Sequence, residues 1–306
     1  MKEFKILIIL IVVIGVIYYG VEPYAHSVMH PKVAPADFAF KDLEPIDLKN
    51  GDANKGKQLV AENCTACHGI KSQNIPAPMD SLSASNSFGV VPPDLSHVAG
   101  VLNANFLAHF IKDPVKTAKL SHKFNDERPY PMPAFSQFSD QDLSDIVAYL
   151  TSILPKNLSD KEVFAQSCQR CHSLDYAKDK AFSDPKDLAN YLGSHAPDLS
   201  MMIRAKGEHG LNVFINDPQK LLPGTAMPRV GLNEKAQKQV ISYLEKAGDR
   251  KKHERNTLGI KIMIFFAVLS FLAYACLFYT SCSAEAHFFI PLRLPRVLLL
   301  LPILHF

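Results

Sequence analysis

Cys64-Thr65-Ala66-Cys67-His68 is answered further along the chain by Cys168-Gln169-Arg170-Cys171-His172, at an offset of 104 (168 − 64). The same shift takes Pro93-Asp94-Leu95-Ser96 to Pro197-Asp198-Leu199-Ser200, and Phe110-Ile111 and Asp113-Pro114 to Phe214-Ile215 and Asp217-Pro218. Beyond that point the second copy is shorter. Met132-Pro133 answers to Met227-Pro228 at an offset of 95, and Tyr149-Leu150 to Tyr243-Leu244 at 94. A repeat of about 100 residues is a duplicated domain rather than a solenoid unit. A chain of 306 residues has room for two such domains and extensions.

The pentapeptide itself reads as a site of covalent haem attachment. Two thiols separated by two residues reach two vinyl groups on one porphyrin edge, and the following histidine is carried under the ring to offer its imidazole to iron. A zinc site, a redox dithiol or a structural disulfide can also use a paired cysteine. Two copies, each followed by His, in a chain of only six cysteines favour haem. The expected cofactors are two covalently attached haem c groups, on Cys64 and Cys67 and on Cys168 and Cys171, with His68 and His172 as iron ligands. Cys276 and Cys282 lie in or beside an apolar segment and read as passengers. This chemistry places the domains in a compartment outside the bacterial cytoplasm, or its organelle equivalent.

An electron-carrying haem iron is commonly held on both faces, His on one and Met on the other. Met132, in Tyr130-Pro131-Met132-Pro133, and Met227, in Thr225-Ala226-Met227-Pro228, stand in equivalent places of the repeat. They are the expected second ligands, with Met79, Met201 and Met202 as fallbacks. His97 and His195 lie near the Pro-Asp-Leu-Ser elements but do not align with each other, and read as surface or satisfied core residues.

Local signals are helical. Ser159-Asp160-Lys161-Glu162 fits a capping box ahead of Val163 and Phe164. A short helix precedes Cys64 through Leu59 and Val60. A helical stretch should end near each Asp-Pro pair, because the residue before proline is pushed out of the helical region. Each repeat closes on an amphipathic helix: Leu143, Ile146, Val147 and Leu150 in the first, Ala236, Val240, Tyr243 and Leu244 in the second. No strand pattern stands out. A net charge of +3 with 21% charged residues gives no basic field for nucleic acid.

The ends of the chain are apolar. Ile6 to Tyr19 follow Lys2 and Lys5 as an anchor or signal over residues 1–21, with a linker over 22–49. A second apolar stretch over 258–280 is long enough to span a bilayer. Residues 281–306 form an apolar tail of unknown role, interrupted by Pro291, Pro295 and Pro302.

Each repeat resembles a class I cytochrome c domain, over residues 50–155 and 156–249. The resemblance rests on the Cys-x-x-Cys-His site, the Met-Pro strap some 60 residues later, and an aromatic in the closing helix. It implies an all-α fold of two tandem class I cytochrome c domains flanked by transmembrane helices. It also implies that an early glycine, Gly56, meets Tyr149; the second repeat has Asp160 at that place. Lys251-Lys252-His253-Glu254-Arg255 through Lys261 resembles the basic approach to the membrane in cytochrome c1. That resemblance implies a dihaem c1-type electron-transfer subunit of a quinol–cytochrome c oxidoreductase in a respiratory chain, without a catalytic site of its own. The implied partners are cytochrome b and Rieske iron–sulfur subunits and a cytochrome c acceptor. The implied location is the bacterial inner membrane, with the haem domains on the periplasmic side. Alternatives are the dihaem subunit of a cbb-type oxidase and a dihaem peroxidase.

Overall fold

The computed structural model describes residues 2–29, 34–125, 127–155 and 157–286. Every regular element among them is helical. Strand-like pairing is limited to isolated bridges at Ile70–Ile75, Leu102–Leu232 and Leu174–Asp179. The chain through Arg250 forms one compact unit, and the residues from Lys251 on form another.

In the first repeat, Asp52 caps the opening helix Ala53–Asn63 by accepting the Asn54 N–H at 2.8 Å. The closing helix Asp140–Ser152 starts in a reciprocal capping box between Ser139 and Asp142. It buries Leu143, Ile146, Val147 and Leu150, the stripe expected from their spacing. Full burial of such side chains contributes about 1.5–3 kcal/mol each. Gly56 allows the two helices to approach. A Cβ there would overlap the Asp145 carbonyl and come within 2.9 Å of the Tyr149 Cβ. The expected meeting of Gly56 and Tyr149 is therefore a backbone-to-helix contact.

The second repeat is built alike, with one substitution of chemistry. Its opening helix Asp160–Ser167 carries the Ser159–Glu162 capping box read from the sequence. Its closing helix Glu234–Gly248 is capped by Asn233. Asp160 takes the place of Gly56 as the first residue of its helix, where side chains still project freely. Its carboxylate accepts from Ser242 Oγ at 3.0 Å and Lys246 Nζ at 2.7 Å. A polar clasp thus stands where the first repeat has close backbone packing.

The two Asp-Pro pairs end helices as expected. Ala104–Lys112 and Met202–Asn216, the latter kinked at Gly207, stop at Asp113 and Asp217, whose φ values are −150° and −149°. Pro114 and Pro218 then start short helices, because proline suits the first helical turn.

The two repeats are joined face to face. Helix Ser81–Phe88 meets its repeat-equivalent Pro185–Leu192. Phe124 from the first repeat packs with Leu188, Leu192 and Ala226 from the second. The stretch expected as a linker is also part of this junction. Residues 22–29 continue the N-terminal helix, and residues 34–49 lie along both repeats. Asp37 and Asn216 exchange two hydrogen bonds at 2.9 and 3.1 Å. Asn103 Nδ2 donates to the Phe38 carbonyl, and His109 Nε2 to the Glu44 carbonyl. Phe40, 1% exposed, is driven into contact with Phe106 with ring centroids 5.1 Å apart. One buried aromatic and a row of satisfied carbonyls turn a nominal linker into a strap.

Near the N-terminus, the apolar helix runs over Phe4–Met29, well beyond Tyr19 and long enough to cross a membrane. A π turn at Ile17–Val21 precedes Pro23. The wider turn accommodates a residue that lacks an N–H and crowds the preceding turn. In the second unit, one helix spans Lys252–Ala286. Its Lys252–Leu277 portion, 26 residues, also has membrane-spanning length and composition. The basic approach is thus the first turns of this helix. The tail expected over 281–306 lies outside the described residues from 287 on.

Gly56→Val should destabilise the protein by about 3 kcal/mol through overpacking. Gly210→Ala, with only Lys206 Cβ at 3.6 Å, should be neutral or stabilise by up to about 1 kcal/mol. Urea unfolding of the two variants checks both.

Candidate functional site

Each Cys-x-x-Cys-His stretch forms a tight turn at the end of an opening helix. Cys64 is the C-terminal cap of Ala53–Asn63, and its carbonyl accepts from the Cys67 and His68 N–H groups at 3.1 and 3.0 Å. Cys168 repeats this with Cys171 and His172 at 3.1 and 2.9 Å. Both thiols of each pair and the following imidazole are thereby carried on one turn. Neither the Cys64/Cys67 pair nor the Cys168/Cys171 pair is joined as a disulfide. Burial pushes the Cys64 and Cys168 thiols up to about 11, the opposite of the lowered thiol of a redox dithiol.

The orientation of each imidazole is fixed from behind. His68 Nδ1 lies 2.8 Å from the Pro93 carbonyl, and His172 Nδ1 lies 2.7 Å from the Pro197 carbonyl. A carbonyl only accepts, so Nδ1 carries the proton and Nε2 keeps its lone pair. Burial also pushes both imidazoles below the usual histidine range, which keeps the rings neutral. A neutral ring with a free, directed Nε2 beside two thiols is the donor set that a covalently held haem needs.

The Pro-Asp-Leu-Ser elements hold those carbonyls in place, a role that spacing did not reveal. Asp94 accepts from the Lys71 and Ser96 N–H groups, and Ser96 Oγ from the Ser72 N–H. Asp198 and Ser200 repeat all three bonds with Asp175, Ser200 and Tyr176. Leu95 and Leu199 donate their N–H groups to the Gly69 and Ser173 carbonyls. Each element thus clamps the turn that follows its histidine. The only sequence signal was recurrence at one fixed distance from each His.

The methionines are placed as follows. Met132 is half-buried and packs on the same core as Cys64, Ile75 and Phe135. Met227 is half-buried between Ala226, which packs near Cys171, and Pro228. Of the fallbacks, Met79 and Met201 are exposed, and Met201 Sδ takes the Tyr176 hydroxyl at 3.3 Å. Met202 packs on the second core. His195 is exposed, as expected. His97 is half-buried, with no hydrogen-bond partner at Nδ1.

Helical domains built around a turn of two thiols and a directed imidazole define a c-type haem protein. The chain belongs to the cytochrome c family, whose model matches residues 53–153 and 161–248. It is accordingly a haem-iron protein of electron transport. The family binds haem c covalently, and the Cys64/Cys67 and Cys168/Cys171 pairs fit two such sites. A chain of a solved structure described as a hyperthermophilic respiratory complex III is 16% identical. That match covers 90% of this chain and 98% of the other, with a TM-score of 0.28.

Asp198→Ala would leave the N–H groups of Asp175 and Ser200 without their acceptor. It should cost about 1–3 kcal/mol, and Asp94→Ala a similar amount. Unfolding of each variant against the wild type measures the loss.

Proposed function

We propose that the chain is a membrane-anchored dihaem c1-type subunit that carries electrons within a quinol–cytochrome c oxidoreductase. The duplicated Cys-x-x-Cys-His turn, each with its imidazole tied to a proline carbonyl, carries this reading. Cys64 and Cys67 would hold one haem c, and Cys168 and Cys171 the other. His68 and Met132 would ligate the first iron, His172 and Met227 the second. The haem iron supplies one-electron chemistry when bound. The protein's part is to orient two imidazoles, to present a soft thioether on a proline-flanked strap, and to exclude water with the two cores. No general base or nucleophile is assigned a task.

The domains would run over 50–155 and 156–249, between spans at either side. The basic stretch Lys251–Lys261 and the apolar helix that begins within it support the c1-type assignment over other dihaem electron carriers. Cytochrome b and a Rieske protein would then be neighbours, and a second cytochrome c the acceptor. The haem domains would face the periplasm of a bacterial inner membrane. One rival is the dihaem subunit of a cbb-type oxidase, whose anchoring is normally N-terminal; the second apolar helix, Lys252–Leu277, counts against it. Two parallel Met-Pro straps, which would close the iron faces, count against a peroxidase.

Mass spectrometry of protein matured in a periplasm should give two haem increments that survive denaturation. Replacing Cys64 and Cys67 together should leave one. The oxidised protein should carry a near-infrared sulfur-to-iron band that Met132→Leu and Met227→Leu each reduce by about half, with a lowered potential at the affected haem.

Reporter fusions after Pro155 and Asp249 should report outside, and a fusion near Ser283 inside. Mild detergent extraction should bring down a b-type cytochrome and an iron–sulfur protein. In that preparation, quinol should reduce the chain's haems until a quinol-site inhibitor is added. Recovery of a copper-containing oxidase core instead would decide for the rival.

A further inference from the structure

The two methionine straps are supported differently. In the first, the Phe135 N–H donates to the Ile111 carbonyl of its own repeat at 3.2 Å. The second strap, from Thr225 to Asn233, bonds along its length to the first repeat. The Thr225 carbonyl accepts from His122 Nε2 at 3.1 Å. The Arg229 N–H donates to the Ala118 carbonyl, and the Asn233 N–H to the Val101 carbonyl, each at 3.0 Å. The Gly231 carbonyl accepts from the Asn103 N–H at 2.9 Å.

Arg229 is the centre of this attachment. It is 3% exposed, although it carries a permanent charge. Its Nε donates to the Thr117 carbonyl at 3.1 Å, and its Nη1 to both oxygens of Asp42 at 2.8 Å. Its guanidinium carbon lies 5.3 and 5.4 Å from the ring centroids of Phe40 and Phe106. Asp42 belongs to the strap 34–49 that precedes the first repeat. Three distant parts of the chain therefore converge on the residue two places after Met227.

We propose that Asp42, acting through Arg229, is a positioning residue for Met227, so that the first repeat and its N-terminal strap hold the second iron's thioether ligand in place. The inference rests on the reading that Met227 is that ligand. A buried guanidinium left without its counter-charge is strongly unfavourable, and it relieves itself by moving toward water. Pro228, whose φ is locked near −65°, is the only residue between Arg229 and Met227, so little slack separates them. Displacing Arg229 displaces the thioether.

The test uses the full haem-loaded protein and reads the near-infrared band and the two reduction potentials. Met227→Leu first defines the half of the band that belongs to the second haem. Asp42→Ala should remove more than two-thirds of that half, lower the second potential and leave the first unchanged. Asp42→Asn, which keeps the side-chain size, should do so in part, and Asp42→Glu should restore the band. Asn105→Ala loosens the same strap at Ile46 and Glu44 without touching Arg229, and should spare the band. Equal loss in Asn105→Ala, or an intact band in Asp42→Ala, would overturn the positioning role. An intact band in Met227→Leu would instead remove the ligand reading beneath it.

Discussion

Everything in this molecule is arranged behind one hydrogen bond made twice, from a histidine Nδ1–H to a proline carbonyl. It settles the tautomer, leaves Nε2 its lone pair and anchors the ring without a second side chain. Its cost is that a backbone carbonyl must be held immobile 25 residues from the histidine. Asp94 and Asp198 provide this by each accepting one N–H from the turn that follows the histidine and one from the serine two places on. Cooperative sets of charge-assisted bonds of this type stiffen a loop that carries little apolar mass of its own. The helices at either side then need only bring the turn to the core.

Once both turns are fixed, the relation between the repeats becomes the next constraint. The first repeat supplies carbonyls and two donors to the second strap, and the second supplies Tyr191 against Gly89 and Phe124 of the first. Arg128 donates to the Asn190 and Tyr191 carbonyls across the same junction. The N-terminal strap is laid over both. Such mutual support makes the two domains a single compact unit rather than beads on a thread.

Much of this was legible in the sequence, and the reason is repetition. Two equivalent pentapeptides, two Met-Pro pairs and two amphipathic closing stripes each state the same fact twice, so chance is easily discounted. The Ser159–Glu162 capping box and the Asp-Pro helix ends were equally plain, because they are set by a few adjacent residues. What escaped notice depends on a partner far along the chain. Asp42 and Arg229 are 187 positions apart, and neither stands in a pattern. Phe38 and Phe40 in an apparent linker give no periodicity from which to infer burial. The extent of the terminal helices was under-read for a different reason: Glu22-Pro23 and Lys252 through Arg255 look like boundaries, yet helix tolerates them when a π turn or an exposed charged turn intervenes.

The pairing of Ser81–Phe88 with Pro185–Leu192 brings like against like, as an isologous contact does between identical subunits. In a homodimer every change in such a patch is made on both sides at once. A tandem chain is free of that rule, and here the two halves have parted. Ser85, fully buried, donates to Asp187 and accepts from the Asp184 N–H, while its counterpart is Ala189. Tyr191 covers the left-handed Gly89, while its counterpart Ser87 leaves Gly193 uncovered. Joining the copies in one chain thus gave each half its own vocabulary, and with it a distinct environment for each of two otherwise equivalent sites.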